Sequence, residues 1–201
     1  MLFFRKLFPL IALFSLAFTM PTYAKTNAPV TEPYQRQCPI PTFSPIVINA
    51  PKITDESIHI TSKYSSIEKD QVANFSGGVT LIDKSQTVKA DQLAFDRLLM
   101  TFNAQGNIHY QSQSIDILAS ELNASKKDKI SSMLNAQYQL FGNPGHGSAD
   151  ELLISTQKGL SLLDSTFTTC VGDDPDWQIK ASEIKISADG GTGEAYHAQV
   201  R

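Results

Sequence analysis

Two columns of residues recur along this chain with a shared period, and that repetition limits what it can fold into. Thr61, Ala90, Ala119, Ala149 and Ala181 are each followed three residues later by a large side chain: Tyr64, Leu93, Leu122, Leu152 and Ile184. Successive members stand 29, 29, 30 and 32 residues apart. A second column, Gly77, Gly106, Ala136, Ser165 and Ala198, is followed two places on by Val79, Ile108, Tyr138, Phe167 and Val200. Both halves of the period alternate apolar and polar residues between Gly, Asn, Asp and Ser clusters, so the repeating unit is a pair of strands. Helical repeats are excluded by that alternation.

The small residue and the large one two places later share a strand face, giving each unit a close-packing notch beside an apolar knob. In the first half of the unit the apolar positions fall out of step: Val88 and Ala90 have one parity, Leu93 and Phe95 the other. A β-bulge or a corner between them returns both pairs to the interior. One corner per unit lets an array of hairpins curl into two facing sheets, as in a jelly roll, so the expected fold is all-β. Its interior should hold Phe75, Val79, Leu81, Phe102, Ile108, Tyr110, Leu134, Tyr138, Leu140 and Phe167. These side chains either fill a closed core or line a space for an apolar ligand.

The N-terminal segment sets the compartment. Arg5 and Lys6 precede an apolar run, Leu7 to Phe18, and Thr22-Tyr23-Ala24 ends in a small residue, which is the pattern of a secretory signal over residues 1–24. The run is shorter than the roughly 20 residues a membrane-crossing helix needs. Residues 25–52 carry Pro29, Pro33, Pro39, Pro41, Pro45 and Pro51 and read as an extended leader, and residues 53–201 form the repeat domain. The formal charge falls from −3 to −5 once Arg5 and Lys6 leave with the signal, which argues against a nucleic-acid partner. Cys38 and Cys170 are the two cysteines of an exported chain, where a disulfide is favoured. They could pair with each other, or each could reach another chain.

No catalytic set emerges, and no cofactor or metal is expected. His59, His109, His146 and His197 are dispersed without metal-ligand spacing. Asp173, Asp174 and Asp176 flank Pro175 in a turn that lacks the glycine and distal glutamate of a calcium loop. Gly190-Gly191-Thr192-Gly193 has no phosphate-loop lysine and reads as a hairpin, as does the charge run Lys126-Lys127-Asp128-Lys129. Ser148, in Gly145-His146-Gly147-Ser148, is not in an esterase elbow.

Several phrases carry a resemblance. Phe75-Ser76-Gly77-Gly78-Val79, Ala90-Asp91, Gly106-Asn107-Ile108-His109-Tyr110 and Gly147-Ser148-Ala149-Asp150 resemble the periplasmic repeat domain of the organic-solvent-tolerance family. Thr168-Thr169-Cys170, then Asp174-Pro175-Asp176-Trp177 and Ala181-Ser182-Glu183-Ile184, make the chain similar to the N-terminal domain of that family's outer-membrane lipopolysaccharide-assembly branch. The resemblance runs from about Ile58 to Arg201, and Cys38 matches the family's early cysteine.

What the resemblance implies is an open, twisted β-jelly roll that holds the acyl chains of lipopolysaccharide in its interior, in the periplasm at the outer membrane. It implies edge-to-edge pairing with a periplasmic bridge protein of the same fold, for which the first strand, Ile58 to Tyr64 with Ile60 at its centre, is the expected docking edge. Family members continue into a transmembrane barrel with two more cysteines and a plug lipoprotein as partner. This chain stops at Arg201, which reads as a truncated, split or fragmentary gene product, with the barrel and its plug lipoprotein as partners if a barrel is supplied elsewhere. A stand-alone bridge protein and a lipid-free structural repeat protein are the alternatives.

Overall fold

The computed structural model describes residues 57–201 apart from 70, 142–144 and 171–174, all within the unit Gln37–Arg201. The expected signal and leader, and Cys38, lie outside the described residues. Twelve strands form one antiparallel sheet. They are β1 (His59–Thr61), β2 (Tyr64–Glu68), β3 (Val72–Ile82), β4 (Gln86–Asp96), β5 (Thr101–Ser112), β6 (Ile115–Ser125), β7 (Ile130–Leu140), β8 (His146–Ser155), β9 (Gly159–Phe167), β10 (Ile179–Ile186), β11 (Gly193–Tyr196) and β12 (Gln199–Val200). From β3 to β10 each strand pairs with its neighbours in sequence. β1 and β2 both lie along β3, and β11 and β12 both lie along β10, so each edge is one strand broken in the middle. The expected first strand is therefore two short ones, separated at Ser62-Lys63.

A crease crosses the sheet at mid-strand and divides it into two leaves. On β3 and β5 it is built by an extra residue: the register shifts between Ser76 and Val79 and between Gln105 and Ile108. Gly77, Gly78, Gly106 and Asn107 there have φ of 84, 85, 77 and 47°. On β7 and β9 a single left-handed residue suffices, Asn135 at 52° or Asp164 at 42°, and His197 at 49° marks the break between β11 and β12. Glycine and asparagine tolerate that backbone best. At Gly106 space also matters, because a Cβ would collide with the Asp91 carboxylate.

The even strands cross the crease without an extra residue, and this explains the first sequence column. Ala90 and Leu93, Ala119 and Leu122, Ala149 and Leu152, and Ala181 and Ile184 all flank the crease and face the same interior. Three-residue spacing is what a strand needs to keep facing inward through a one-residue corner.

Cross-strand pairs then join like positions into interior rows. One row on the first leaf runs from Phe75 through Leu93, Ala104, Leu122, Met133, Leu152 and Leu162 to Ile184. A row on the second leaf runs Ile60, Leu81, Val88, Tyr110, Ile117, Tyr138 and Gly147. The two rows belong to one apolar cluster, packed leaf against leaf.

Candidate functional site

The site is the space between the leaves. Of the ten residues expected inside, Val79, Leu81, Ile108, Tyr110 and Tyr138 are buried in the shared cluster, and Phe75, Phe102, Leu140 and Phe167 pack against it half-buried. Leu134 is not in the cluster: it pairs with Glu121 and Glu151 on the opposite face, and Met133 takes the interior position. The left-handed Asn135 causes this, since a one-residue corner reverses the parity that links Leu134 to Tyr138. Met133, Leu152, Leu162 and Ile117, each 0 % exposed, are interior residues that the second column did not mark.

The space changes along the sheet. Between β3 and β7 it narrows to about 50 Å³, lined by Leu81, Val88 and Tyr110 from one leaf and Leu93, Phe102 and Leu122 from the other. Phe95 and Phe102 stack here with ring centroids 4.4 Å apart. Toward the C-terminal strands it opens to about 560 Å³, lined by Ile115, Leu140 and Phe167 on one side and Ile154, Leu160 and Ile186 on the other. These six large side chains are apolar, all but Ile115 half-buried, and Ser114, Ser155, Thr156, Ser187 and Thr192 add hydroxyls to the lining, which suits an amphiphile with a flexible hydrocarbon.

Two hydrogen bonds fix the second leaf at this opening. Tyr138 donates its hydroxyl to the Thr166 carbonyl at 2.7 Å, and burial pushes its pKa well above the usual phenol range. Gly147, beside Tyr138 in the sheet, has no room for a side chain, because a Cβ would collide with that same Thr166 carbonyl oxygen. Thr168 donates its hydroxyl to the Trp177 carbonyl at 2.6 Å, and the Trp177 ring lies 5.9 Å from that of Phe167. The Thr-Thr-Cys and Pro-Asp-Trp phrases thus brace Phe167, a cleft residue. Cys170 is 3 % exposed and donates its backbone N–H to Thr168 Oγ1.

Polar groups gather on the outer face. Asp116, fully buried, lies 2.7 Å from His109 Nε2 and accepts a 2.8 Å hydrogen bond from Gln111 Nε2. His146 Nδ1 is buried without a partner among the described residues, and desolvation lowers its pKa. No described group of three or more His, Cys, Asp and Glu side chains is placed to hold a metal ion.

The family model described as "LptA/(LptD N-terminal domain) LPS transport protein" matches residues 59–192, the whole creased sheet up to the β10–β11 turn. The chain belongs to this family. The LPS-assembly protein LptD of Shewanella sp. (strain ANA-3) is 31% identical over 168 residues, which cover 82% of this chain and 22% of that protein. LptD of Pseudoalteromonas translucida (strain TAC 125) is 34% identical over 131 residues, covering 65% of this chain and 17% of that protein. The chain therefore spans about a fifth of the length of these curated LptD relatives. Among solved structures, LptH of Pseudomonas aeruginosa, described as the LptA homologous periplasmic component of the lipopolysaccharide transport device, aligns with TM-score 0.45 and 10% identity. That alignment covers 52% of this chain and 80% of LptH. The family is one of transport proteins, and the sheet is an open antiparallel jelly roll, as the repeats imply.

Proposed function

We propose that this domain carries lipopolysaccharide in the periplasm toward the outer membrane, with the acyl chains in the cleft between the leaves. The observation that carries this reading is the half-buried apolar space of about 560 Å³ between Leu140, Phe167, Leu160 and Ile186. Each acyl methylene moved there from water contributes about 0.8 kcal/mol, so one chain supplies ample affinity without a covalent or polar anchor. A photoreactive residue at Leu160 or Ile186 should crosslink to lipopolysaccharide, and one at exposed Gln137 on the outer face should not. Equal labelling at all three would refute the assignment.

Transfer requires a neighbour, and the edges supply a docking surface. Among the described residues β1 and β2 pair only with β3, so their other side offers backbone donors and acceptors to a bridge protein of the same fold. Ile58, Ile60 and Tyr64 mark that edge, with Ile58 36% and Tyr64 70% exposed. Consecutive N–H groups of a strand point to opposite sides, so proline at His59 or at Ile60 removes an outward donor and the other removes one to β3. One of the two variants should remain folded by circular dichroism and lose the partner in pull-down. Retention by both would move docking to β11 and β12. An outer-membrane barrel with its plug lipoprotein would receive the lipid.

The buried position of Cys170 supports a Cys38–Cys170 disulfide, which in the chain-entropy model stabilises so long a loop by about 4 to 5 kcal/mol. Two alkylatable thiols in protein from oxidising periplasm would exclude it.

A further inference from the structure

The turns at the outer end of the first leaf form a lip over the cleft, and their composition differs from that of the opposite lip. Lys126, Lys127 and Lys129 occupy the turn between β6 and β7, and Lys158 the next turn, between β8 and β9. The turns are joined through the backbone: Lys126 donates its N–H to the Met100 carbonyl, and Thr156 donates to the Lys129 carbonyl. All four lysines are exposed, and none is ion-paired among the described residues. The acid within the run, Asp128, is occupied locally, accepting the Ser125 hydroxyl at 2.6 Å.

This lip borders the lipid space. Thr156 lines the wide part of the cleft, and Ser131, two residues beyond Lys129, lines the narrow part. Beside the lysines Leu98 and Leu99 stand out at 74% and 63% exposed, adding apolar surface above the stacked Phe95 and Phe102. The facing lip, by contrast, presents Asp83, Lys84 and Ser85 in one turn and Gln113-Ser114 in another. In a chain of net charge −3, an edge that is cationic on one side only, among the described residues, and borders an apolar trough is complementary to an amphiphile with an anionic head.

We infer that Lys126, Lys127 and Lys129 bind the phosphate groups of the lipid whose chains occupy the cleft, and so orient it with its head on the first-leaf lip. The inference presupposes the lipid cleft proposed above, and its specific content is the head-group site. A bilayer surface would also attract lysines beside exposed leucines. A single bound lipid accounts better for their place on the lip that borders the cleft.

The test uses the full chain, a fluorescent acyl probe in the cleft, and two competitors, lipid A and lipid A stripped of its phosphates. Lipid A should displace the probe roughly tenfold more effectively, the order expected from three exposed charge contacts. Salt should erode that advantage. The K126Q/K127Q/K129Q variant should lose it and bind the dephosphorylated form as before. Equal displacement by both competitors in the unaltered chain would overturn the lip and leave the cleft reading intact. Failure of the probe and both competitors to bind would overturn the cleft itself. Loss of the preference on adding low millimolar inorganic phosphate would assign the lysines to a free anion. A variant that loses only its attachment to phosphatidylglycerol vesicles, with the lipid A preference retained, would assign them to a membrane surface. Either of these last two results overturns the head-group site.

Discussion

The two ends of the cleft share one backbone plan and differ in what their side chains do with it. At the β3–β7 end the leaves meet: Leu93, 3 % exposed, packs with Tyr110 and Phe102 around a gap of about 50 Å³. At the β8–β10 end the row that holds Phe95 and Phe102 continues as Ile154, Leu160 and Ile186, and about 560 Å³ stays open. On that row two stacked aromatic rings fill the closed end, and aliphatic chains leave the other unfilled. Capacity is thus decided by side-chain volume on the interior row next to the lip, and the same sheet provides both a packed core and an open space.

This contrast can be broken by substitution. Leu93→Ala at the closed end should cost about 2 to 5 kcal/mol in denaturant unfolding, whereas half-buried Leu160→Ala at the open end should cost roughly 1 kcal/mol. Equal costs would mean that both ends are packed alike. Leu160→Trp fills open space, so it should lower acyl-probe affinity about tenfold with stability changed by less than roughly 1 kcal/mol. Tyr138→Phe removes the bond to the Thr166 carbonyl, and a loss of about 1 kcal/mol is expected by thermal unfolding.

The smallest effect concerns pH. Desolvation holds the His146 pKa below its ordinary value of 6.5, so near and below that pH the unfolded chain binds a proton that the folded chain resists. This contribution to stability is complete above 6.5 and is lost as the pH falls below it through the lowered folded-state pKa. His146→Gln should flatten that part of the profile; an unchanged slope would assign it to other groups.

Much of the fold was legible because periodicity survives without knowledge of pairing. The Ala90/Leu93 column predicted a corner, and the crease lies there in β4, β6, β8 and β10. The small residues Ala136, Ala149, Ser165 and Ala181, assigned to separate columns, stand side by side in one row along it. What escaped was the kind of corner on each odd strand. Two left-handed residues on β5 preserve parity from Ala104 to Ile108, while one on β7 reverses it, so Leu134 was read as interior and Met133 was not. Whether the leaves touch was equally hidden, since it depends on residues of different rows, such as Leu81 and Tyr110 against Leu93 and Phe102, that meet only in three dimensions.

The crease also works as a ruler. Because every strand bends at the same height, adding one strand pair leaves the cross-section of the trough unchanged and lengthens it by two strand spacings, roughly 10 Å. A tandem duplication of some thirty codons would be read out as distance across a gap between two surfaces, with no new chemistry required. An in-frame loss of a single residue within a strand would instead turn the lining beyond it outward. Span is therefore free to change in whole units, and the lining is not.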